Sequence, residues 1–467
     1  MDPDHYVTSA DLFVRLLGMV YVFAFGALLF QIKGLLGEQG ILPVGSYLKF
    51  VKARVRYPYY TVPTLFWFNS SNRALVGAAL LGTVCGVLLV AGIFPPLMLA
   101  LLYILYLSIV SAGQDFLSFG WEMFLLEITI NAFFLSLTTI PSPIIWLSLN
   151  LLLFRFHFQG GMVKFQSRDP NWRNLTGVAY HYLSQPLPNT VAWYAYRLPL
   201  WFQKFSCVMM FIVEILVPFL IFTTDEIRLG VYFAFVGLQF FIWVTGNFSF
   251  LNYLTVVFCT ILIADKFLPY QIPHTETPLA LELFLIVVGF FLLLAQIINL
   301  WNSYLPRLSF LSDLFSYLYP FHIGNRYGIF AVMTTKRIEI VMEGSADGIL
   351  WKEYLFRYKP SEVTRRPRRI APYQPRLDWQ MWFLPFSSYA AEHWLQNFCY
   401  HLLKGTPDVL KLLRHNPFPD QPPKFVRGLA YDYVFTAPGE KWWWKRTLQG
   451  RYTPDLTLNP TRPLNHD

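Results

Sequence analysis

The chain has 467 residues, of which 55% are hydrophobic, 18% aromatic and only 14% charged, and its mean hydropathy is +0.40. Soluble domains carry about 25% charged residues, so this balance indicates a protein that crosses a membrane several times. The formal net charge of +9 is typical of basic loops that contact lipid head groups, and no nucleic-acid-binding motif accompanies it.

The cysteine pattern argues against thiol-disulfide and zinc chemistry. The four cysteines (Cys85, Cys207, Cys259 and Cys399) include no CxxC pair, and no His/Cys spacing fits a metal site. We therefore expect small, buried apolar cysteines, no bound metal and no cofactor. The first apolar run begins near Leu12 and contains Arg15, so it reads as a first span rather than a cleavable signal peptide.

Apolar runs of suitable length predict about nine membrane spans, because a helix needs about 20 mostly apolar residues to cross a bilayer. The run at 143–159 is the weakest, since Arg155 and His157 interrupt it. The nine predicted spans are 12–32, 74–93, 95–112, 122–140, 143–159, 205–223, 229–246, 250–268 and 278–300.

The loop between the first two spans combines cations with apolar residues. Tyr47, Phe50 and Val51 alternate with lysines and arginines, which predicts a helix lying in the membrane interface. The cations of this loop would place it in the cytoplasm by the positive-inside rule, and nine spans would place the C-terminus there as well.

Charged residues within the predicted spans are candidates for a structural or a functional cluster. Glu127 and Asn131 share one face of span four, and Glu127 could pair with Arg155, Arg15 or Lys164. Glu214 is a second intramembrane carboxylate. Three further polar residues are expected to form hydrogen bonds between helices: Gln239, Asn247 and Asn252.

The stretch from Arg155 to Asn189 leaves an apolar run carrying several cations and aromatic residues. It reads equally well as a loop among lipid head groups or as the wall of a polar cavity. Asp169 could pair with Arg168 or Arg173 within this loop. The predicted polar membrane cluster consists of Glu127, Asn131, Arg155, His157, Lys164, Asp169, Trp172 and Arg173.

The sequence changes character after about residue 320. Alternation over Arg337–Met342 and an Asp-Gly turn signal at 347–348 predict a β-hairpin, whose second strand lies within Leu350–Tyr358. A helix is expected over Ser387–Arg414. RRPRR at 365–369 reads as a solvated or head-group-facing loop. Trp442–Trp444 are expected either to pack beneath the domain or to lie at a membrane interface.

These features predict an α-helical membrane bundle followed by a β-rich, sandwich-like soluble domain. The predicted boundaries are 1–305 for the transmembrane domain, with an extramembrane loop at about 157–204, and 320–467 for the soluble domain.

Several long motifs resemble the lipase maturation factor family: GQDFLSFGWEMFLLE, GGMVKFQSRDPNW, TGNFSFLN, NRYGIFAVMTTKRIEIVMEGSADG and HNPFPDQPP. The resemblance covers nearly the whole chain. It implies residence in the endoplasmic reticulum membrane, or in the plasma membrane of a bacterium, with the C-terminal domain on the lumenal or periplasmic side. It also implies a secreted client such as a lipase. We follow this orientation over the positive-inside count, because long amphipathic loops weigh little in that rule.

Three functions are compatible with the sequence. The first is a chaperone-like maturation factor, which needs an apolar surface but no catalytic constellation. The second is an enzyme, because the membrane half distantly resembles the vitamin K-dependent γ-carboxylase, in which a lysine of a Gly-Val-Lys-Lys core serves as base. Lys164 matches the first lysine of that core, whereas Phe165 occupies the second position. The third is a transporter or channel, although no inverted repeat is visible.

Overall fold

The computed structural model describes residues 2–273 and 275–458. The first part of the chain is helical. Its helices are α1 (Val7–Leu29), α2 (Ile32–Leu36), α3 (Val44–Arg54), α4 (Pro58–Thr61), α5 (Asn72–Val90), α6 (Pro95–Ala112), α7 (Gly120–Leu135), α8 (Pro143–Gln166), α9 (Pro170–Arg173), α10 (Gly177–Ser184), α11 (Thr190–Ala195), α12 (Leu200–Phe211), α13 (Asp225–Thr245), α14 (Leu251–Cys259), α15 (Leu279–Tyr304) and α16 (Ser309–Ser316).

Six helical segments of the described residues are long and apolar enough to cross a membrane: Pro3–Leu29, Asn72–Val90, Pro95–Ala112, Leu200–Phe222, Asp225–Thr245 and Leu279–Tyr304. The predicted count of about nine is therefore not confirmed. The other three predicted runs are helical but differ in length or polarity. Helix α7 has 16 residues, α14 has only nine, and α8 carries a polar inner face with Arg155 and His157.

Helix α12 continues through a π-helical turn, Ile212–Leu216, into a 3-10 segment, Val217–Phe222. Pro218 lies in this transition. A proline lacks the backbone N–H that a regular helix requires, so the change in helical pitch falls where the α-helical ladder cannot continue. The π-helical turn matters for the site described below, because Glu214 lies within it.

Helix α1 lies at the centre of the bundle and is fixed at its start and in its middle. The Asp265 carboxylate accepts hydrogen bonds from the backbone N–H groups of Thr8 (2.8 Å) and Ser9 (3.1 Å), which caps the first turn. Gly18 faces Gly86 of α5 so closely that a Cβ atom on Gly18 would lie 2.6 Å from the Gly86 carbonyl oxygen. Small residues at this crossing let the two backbones approach each other.

The loop between the first two spans lies on the same side of the bundle as the C-terminal region. Gln31 Nε2 donates to the carbonyl of Gln374 at 2.8 Å, and Asn397 Nδ2 donates to the carbonyl of Ile41 at 3.0 Å. The predicted amphipathic helix is present as α3. It buries Val44, Leu48 and Val51 and exposes its lysines.

The C-terminal region contains one four-stranded antiparallel sheet with the strand order β2-β1-β3-β4. The strands are β1 (Ile338–Ser345), β2 (Trp351–Glu353), β3 (Phe425–Phe435) and β4 (Trp444–Arg451). The predicted hairpin is confirmed, with Ser345 opposite Trp351. Its second strand is shorter than expected, and among the described residues the predicted sandwich is replaced by this single sheet.

Helices replace the second layer that a sandwich would have. The stretch predicted as one helix over Ser387–Arg414 consists of α18 (His393–Lys404) and α19 (Pro407–Leu410), which follow α17 (Arg376–Met381). Gly405 in a left-handed conformation (φ 66°) separates α18 from α19. The aromatic residues Trp394 and Phe398 are buried, and Trp394 packs edge-on against Phe116 of the membrane half.

The tail tryptophans pack mainly against protein. Trp444 is buried against Phe435, and Trp443 lies edge-on to Trp193, whereas Trp442 is partly exposed. The sheet domain, as we call residues 338–458, therefore contacts both the bundle and the loop that follows α8.

Candidate functional site

A buried ion pair joins helices α7 and α8. Arg155 Nη1 lies 2.9 Å from Glu127 Oε1, and neither side chain is more than 1% exposed. Removing two charges from water costs several kcal/mol for each ion, which the pair offsets only if its remaining hydrogen-bonding atoms are also satisfied. Glu127 meets this condition through its second oxygen, whereas Arg155 Nε is buried without a hydrogen-bonding partner among the described residues.

The second carboxylate oxygen of Glu127 binds the linker, which we define as residues 322–336 between α16 and the sheet. Glu127 Oε2 accepts hydrogen bonds from Asn325 N (2.9 Å), Asn325 Nδ2 (2.7 Å) and the Tyr327 hydroxyl (2.6 Å). Arg155 Nη2 donates to the Asn325 carbonyl. The intramembrane pair thus holds the chain segment that leads from the last span to the sheet domain.

Further polar side chains connect this pair to a third helix. Asn131 Nδ2 donates to the Glu127 carbonyl at 2.9 Å, and Ser148 Oγ donates to Asn131 Oδ1 at 2.6 Å. Gln296 Nε2 on α15 donates to Ser148 Oγ at 2.7 Å. We call Glu127, Asn131, Ser148, Arg155, Gln296, Asn325 and Tyr327 the Glu127 network.

A second ion pair lies near the end of α8. Lys164 Nζ is 2.6 Å from Glu214 Oε2 and donates to the Gly160 carbonyl at 2.9 Å. The two side chains are 5% and 14% exposed. The Lys164 ammonium also lies 5.6 Å from the ring centroid of Trp172, within cation–π range. Glu214 reaches Lys164 from the π-helical turn, a type of irregularity that is frequent at functional sites.

Residues of the loop after α8 hold the second part of the linker. Asp169 Oδ2 accepts a hydrogen bond from Met333 N at 2.5 Å, and its Oδ1 accepts from Asn171 N at 2.9 Å. Trp172 Nε1 donates to the Phe330 carbonyl at 3.0 Å. Both ion-pair regions therefore bind the same linker at successive positions.

Another buried ion pair joins the membrane half directly to the sheet domain. Arg376 Nη1 lies 2.7 Å from Glu122 Oε1, and both side chains are fully buried. The same nitrogen donates to the Phe116 carbonyl at 2.8 Å, and the Tyr106 hydroxyl donates to the other oxygen of Glu122. The Arg376 backbone N–H donates to Gln31 Oε1 at 2.8 Å, so this single residue of α17 binds α7, the segment before α7 and the turn after α1.

On the sheet side, Arg337 binds the loop after α10. Its guanidinium donates to the carbonyls of Leu183 (2.9 Å) and Pro186 (2.8 Å) and pairs with Glu339 at 2.6 Å. Lys359 Nζ lies 2.9 Å from the other oxygen of Glu339. This buried triad carries one net positive charge, which the loop carbonyls face.

The structure divides the predicted polar cluster into groups. Glu127, Asn131 and Arg155 lie together in the Glu127 network, whereas Lys164, Asp169 and Trp172 lie together around the linker. The other two predicted residues belong to neither group. His157 stacks on Phe235 with ring centroids 3.7 Å apart, and Arg173 is exposed. The ion pair predicted for Asp169 with Arg168 or Arg173 does not occur in the described part of the chain, because Asp169 binds backbone and Asn171 instead.

Sequence reasoning missed Asn325 and Tyr327, which complete the Glu127 network, and Arg376 and Arg337, which bind the sheet domain to the rest of the protein. It named both Glu214 and Lys164 but did not pair them with each other. Asn325, Tyr327 and Arg376 each lie more than 100 positions from the carboxylate that they bind. Arg337 lies as far from the Leu183 and Pro186 carbonyls, although its ion-pair partner Glu339 is only two positions away. No local pattern marks them, apart from the presence of unpaired carboxylates in the spans.

The loop after α8 also holds a neutral histidine. His181 packs between Phe248 and Phe330, and burial, together with the nearby Lys164 ammonium, lowers the pKa of His181 to about 4. Within residues 2–273 and 275–458, no group of three or more His, Cys, Asp or Glu side chains could hold a metal ion.

Comparison with known proteins places family models on both halves of the chain. The model described as lipase maturation factor transmembrane domain matches residues 8–270, and the lipase maturation factor C-terminal domain matches residues 323–454. The second match begins within the linker, two residues before Asn325.

Curated relatives match over nearly the full length. Lipase maturation factor 1 of Homo sapiens is 33% identical over 97% of this chain and 88% of its own length. Lipase maturation factor 2 of Gallus gallus is 31% identical over 97% of this chain and 82% of its own length. No solved structure gives a significant match.

Proposed function

Because the chain belongs to the lipase maturation factor family, we propose that it is a membrane-embedded maturation factor that helps secreted clients such as lipases to reach their active folded state. The observation that carries this proposal is the pair of family matches, which include both the helical bundle and the sheet domain. A chaperone-like mechanism requires a surface for apolar client segments, held at a fixed place relative to the membrane.

We assign client contact to the sheet domain and, within it, to the tip of the β1–β2 hairpin. Ile349 and Leu350 are 80% and 70% exposed at this tip. Asp347 Oδ1 accepts hydrogen bonds from the N–H groups of both residues at 2.8 Å, so the turn is ordered before any partner binds. A preorganised apolar tip loses little conformational entropy on binding, which favours transient contact with partly folded chains.

The polar groups described above would then hold the sheet domain in a fixed position relative to the bundle. The Glu127 network and the Lys164–Glu214 pair hold the linker, and Arg376 and Arg337 fix the sheet domain to the bundle and the loop. We propose that the cluster residues of these two groups act by positioning the sheet domain rather than by chemistry on a substrate.

We further propose an endoplasmic reticulum location in a eukaryotic cell, or a plasma-membrane location in a bacterium, with the sheet domain on the lumenal or periplasmic side. The first loop would share that side, since its Ile41 carbonyl bonds to Asn397 of the sheet domain. All four native cysteines are buried. A cysteine placed at Ile349 should therefore react only with an impermeant maleimide that reaches the lumenal or periplasmic side. A cysteine placed at Asp4 should react only with maleimide that reaches the opposite side of the membrane.

The deciding experiment is the specific activity of a secreted lipase, per mass of enzyme, in cells with and without this gene. Loss of specific activity at constant lipase mass is the expected result. The Ile349→Ser/Leu350→Ser double variant should reproduce part of this loss. Lys352→Ser, which removes an exposed charge on the adjoining strand, is the matched control and should retain activity. Unchanged specific activity in cells lacking the gene would refute the proposal.

The enzyme alternative depends on Lys164 acting as a base. In the structure this amine contacts Glu214 and the Gly160 carbonyl, a geometry that suits a structural ion pair. A Lys164→Gln/Glu214→Gln double variant separates the two roles. This variant keeps hydrogen bonding at the site. A purely positioning role of Lys164 therefore predicts retained lipase maturation, whereas a catalytic lysine predicts its complete loss.

A further inference from the structure

The basic segment 365–369 lies against the end of a membrane span. Arg369 Nη2 donates to the Trp243 carbonyl at 2.9 Å, and its guanidinium carbon lies 3.3 Å from the centroid of the Trp243 ring. Asn247 Oδ1 accepts the Ile370 N–H at 2.8 Å, and Asn247 Nδ2 donates to the Arg368 carbonyl at 2.9 Å. Backbone hydrogen bonds on both sides thus fix this segment to the end of α13.

This attachment sets the depth of the arginines relative to the bilayer. Helix α13 is a candidate span of 21 residues, close to the length that crosses the hydrocarbon core, and Trp243 lies two residues before its end. Tryptophans are enriched at this level of membrane proteins, where the ring meets both hydrocarbon and head groups. A bilayer centred on α13 in this way has its phospholipid phosphates at the level of segment 365–369.

The segment borders an open cleft with an excess of positive charge. Arg365, Arg366, Arg368 and Lys359 contribute to its walls, together with Trp444. Its single lining carboxylate among the described residues is Glu362, which is already paired with Arg414.

The charges of the cleft are not balanced from within the protein. Lys359 shares Glu339 with Arg337, and in the part of the chain that the structure describes, none of the arginines at 365–369 pairs with a carboxylate. Burial, followed by the neighbouring Arg414 and Arg368 charges, holds the pKa of Arg365 below its ordinary value. Arg366 and Arg368 are exposed, so an anion could reach both.

We propose that this cleft binds the phosphate of an anionic membrane phospholipid, with Arg366 and Arg368 as its principal ligands. Planar guanidinium groups donate paired hydrogen bonds to phosphate oxygens, which suits such a site. The attachment of the segment to the span end favours a lipid over a soluble phosphate, because a lipid presents its phosphate at this depth. A bound lipid would hold the sheet domain down on the membrane surface. The site is independent of any client and goes beyond the proposed maturation role.

The test uses the full-length protein in nanodiscs that contain a phosphatidylglycerol carrying a photoreactive head group. After irradiation, labelled peptides are quantified by mass spectrometry in wild type, Arg368→Gln and Arg366→Gln/Arg368→Gln. Lys49→Gln/Lys52→Gln is the matched control, because it removes two exposed cations from α3 on the same side of the bundle. Thermal unfolding of each variant verifies that it is folded.

We expect label in the peptide containing residues 358–369, a decrease of about tenfold in the double variant, and no decrease at this peptide in the control. Arg368→Gln, which removes a side chain without hydrogen-bonding partners in the described residues, should give an intermediate decrease. Equal labelling in all variants would overturn the proposal. So would equal labelling by a phosphatidylcholine probe, or complete competition by 10 mM inorganic phosphate (about the concentration of a common buffer), which would identify a soluble anion as the ligand.

Discussion

Replacing Arg155 by Met should destabilise the protein far more than removing any exposed arginine. Arg155→Met keeps an unbranched apolar stem of similar length but leaves the Glu127 carboxylate without its counter-charge at a site that is 1% exposed. Breaking a buried ion pair from one side typically costs about 3–5 kcal/mol. Glu127 keeps its three hydrogen bonds from Asn325 and Tyr327, which places the expected loss at about 3 kcal/mol, the lower end of that range.

The buried cysteines supply the assay. Cys85, Cys207 and Cys259 lie in the membrane half and Cys399 lies in the sheet domain, and all four are buried. A dye that fluoresces on reaction with thiols therefore reports unfolding during heating. For a chain of 467 residues a loss of about 3 kcal/mol corresponds to a decrease in Tm of roughly 3 °C.

The matched control is Arg307→Met, which breaks the exposed pair between Arg307, just after α15, and Asp313 of α16. Exposed pairs contribute about 0–1 kcal/mol, so its Tm should change by less than about 1 °C. The double variant Arg155→Met/Glu127→Gln should be more stable than Arg155→Met, because the uncompensated charge is gone. The reasoning is refuted if Arg155→Met and Arg307→Met lower Tm equally, or if the double variant is the least stable of the set.

Three further predictions concern other parts of the fold. Arg376→Met should loosen the sheet domain from the bundle and increase its cleavage in limited proteolysis at least about fivefold, and adding Glu122→Gln should reverse part of this effect; unchanged cleavage would contradict it. Gly86→Leu should prevent the close crossing with α1 and abolish the folded peak in size-exclusion chromatography, whereas a leucine at Gly77, which has nothing within 4 Å of an added Cβ, should be tolerated. Burial raises the pKa of Asp378 to about 6, so protonation of this carboxyl favours the folded state. Its contribution to the free energy of unfolding is complete below about pH 4, decreases as pH rises and is lost above about pH 6. Asp378→Asn should remove this pH dependence of Tm, measured by intrinsic fluorescence between about pH 4.5 and 7, and stabilise the protein at pH 7 by about 2–3 kcal/mol; a pH profile identical to wild type would contradict the assignment.

The sequence predicted features that depend on near neighbours. The turn of the β1–β2 hairpin is determined by Asp347 and Gly348 within one segment, and α3 was predicted from the cations beside Tyr47, Phe50 and Val51, of which the structure buries Val51. Glu127 was recognisable as a paired carboxylate because an unpaired charge in an apolar helix is costly, but three cations were equally suitable partners. Only the packing of α7 on α8 selects Arg155.

Features that depend on distant parts of the chain could not be predicted. Arg376 reaches Glu122 from 254 positions away, and Asn325 reaches Glu127 from 198 positions away. The predicted count of about nine spans is also not confirmed, since runs of hydropathy do not give helix lengths: α14 has only nine residues, most of them buried in the protein. Likewise, strand patterns do not reveal whether a second sheet or helices such as α18 cover the first sheet.

The most direct test of the maturation role uses purified components. Full-length protein in nanodiscs is mixed with a denatured lipase from the same organism, and the recovered lipase activity is measured against the amount of the protein added. Our account predicts that recovery rises with added protein up to about an equimolar ratio, remains at the basal level with protein-free nanodiscs, and falls toward that level with Ile349→Ser/Leu350→Ser. The same recovery with loaded and protein-free nanodiscs would contradict a direct role in client folding.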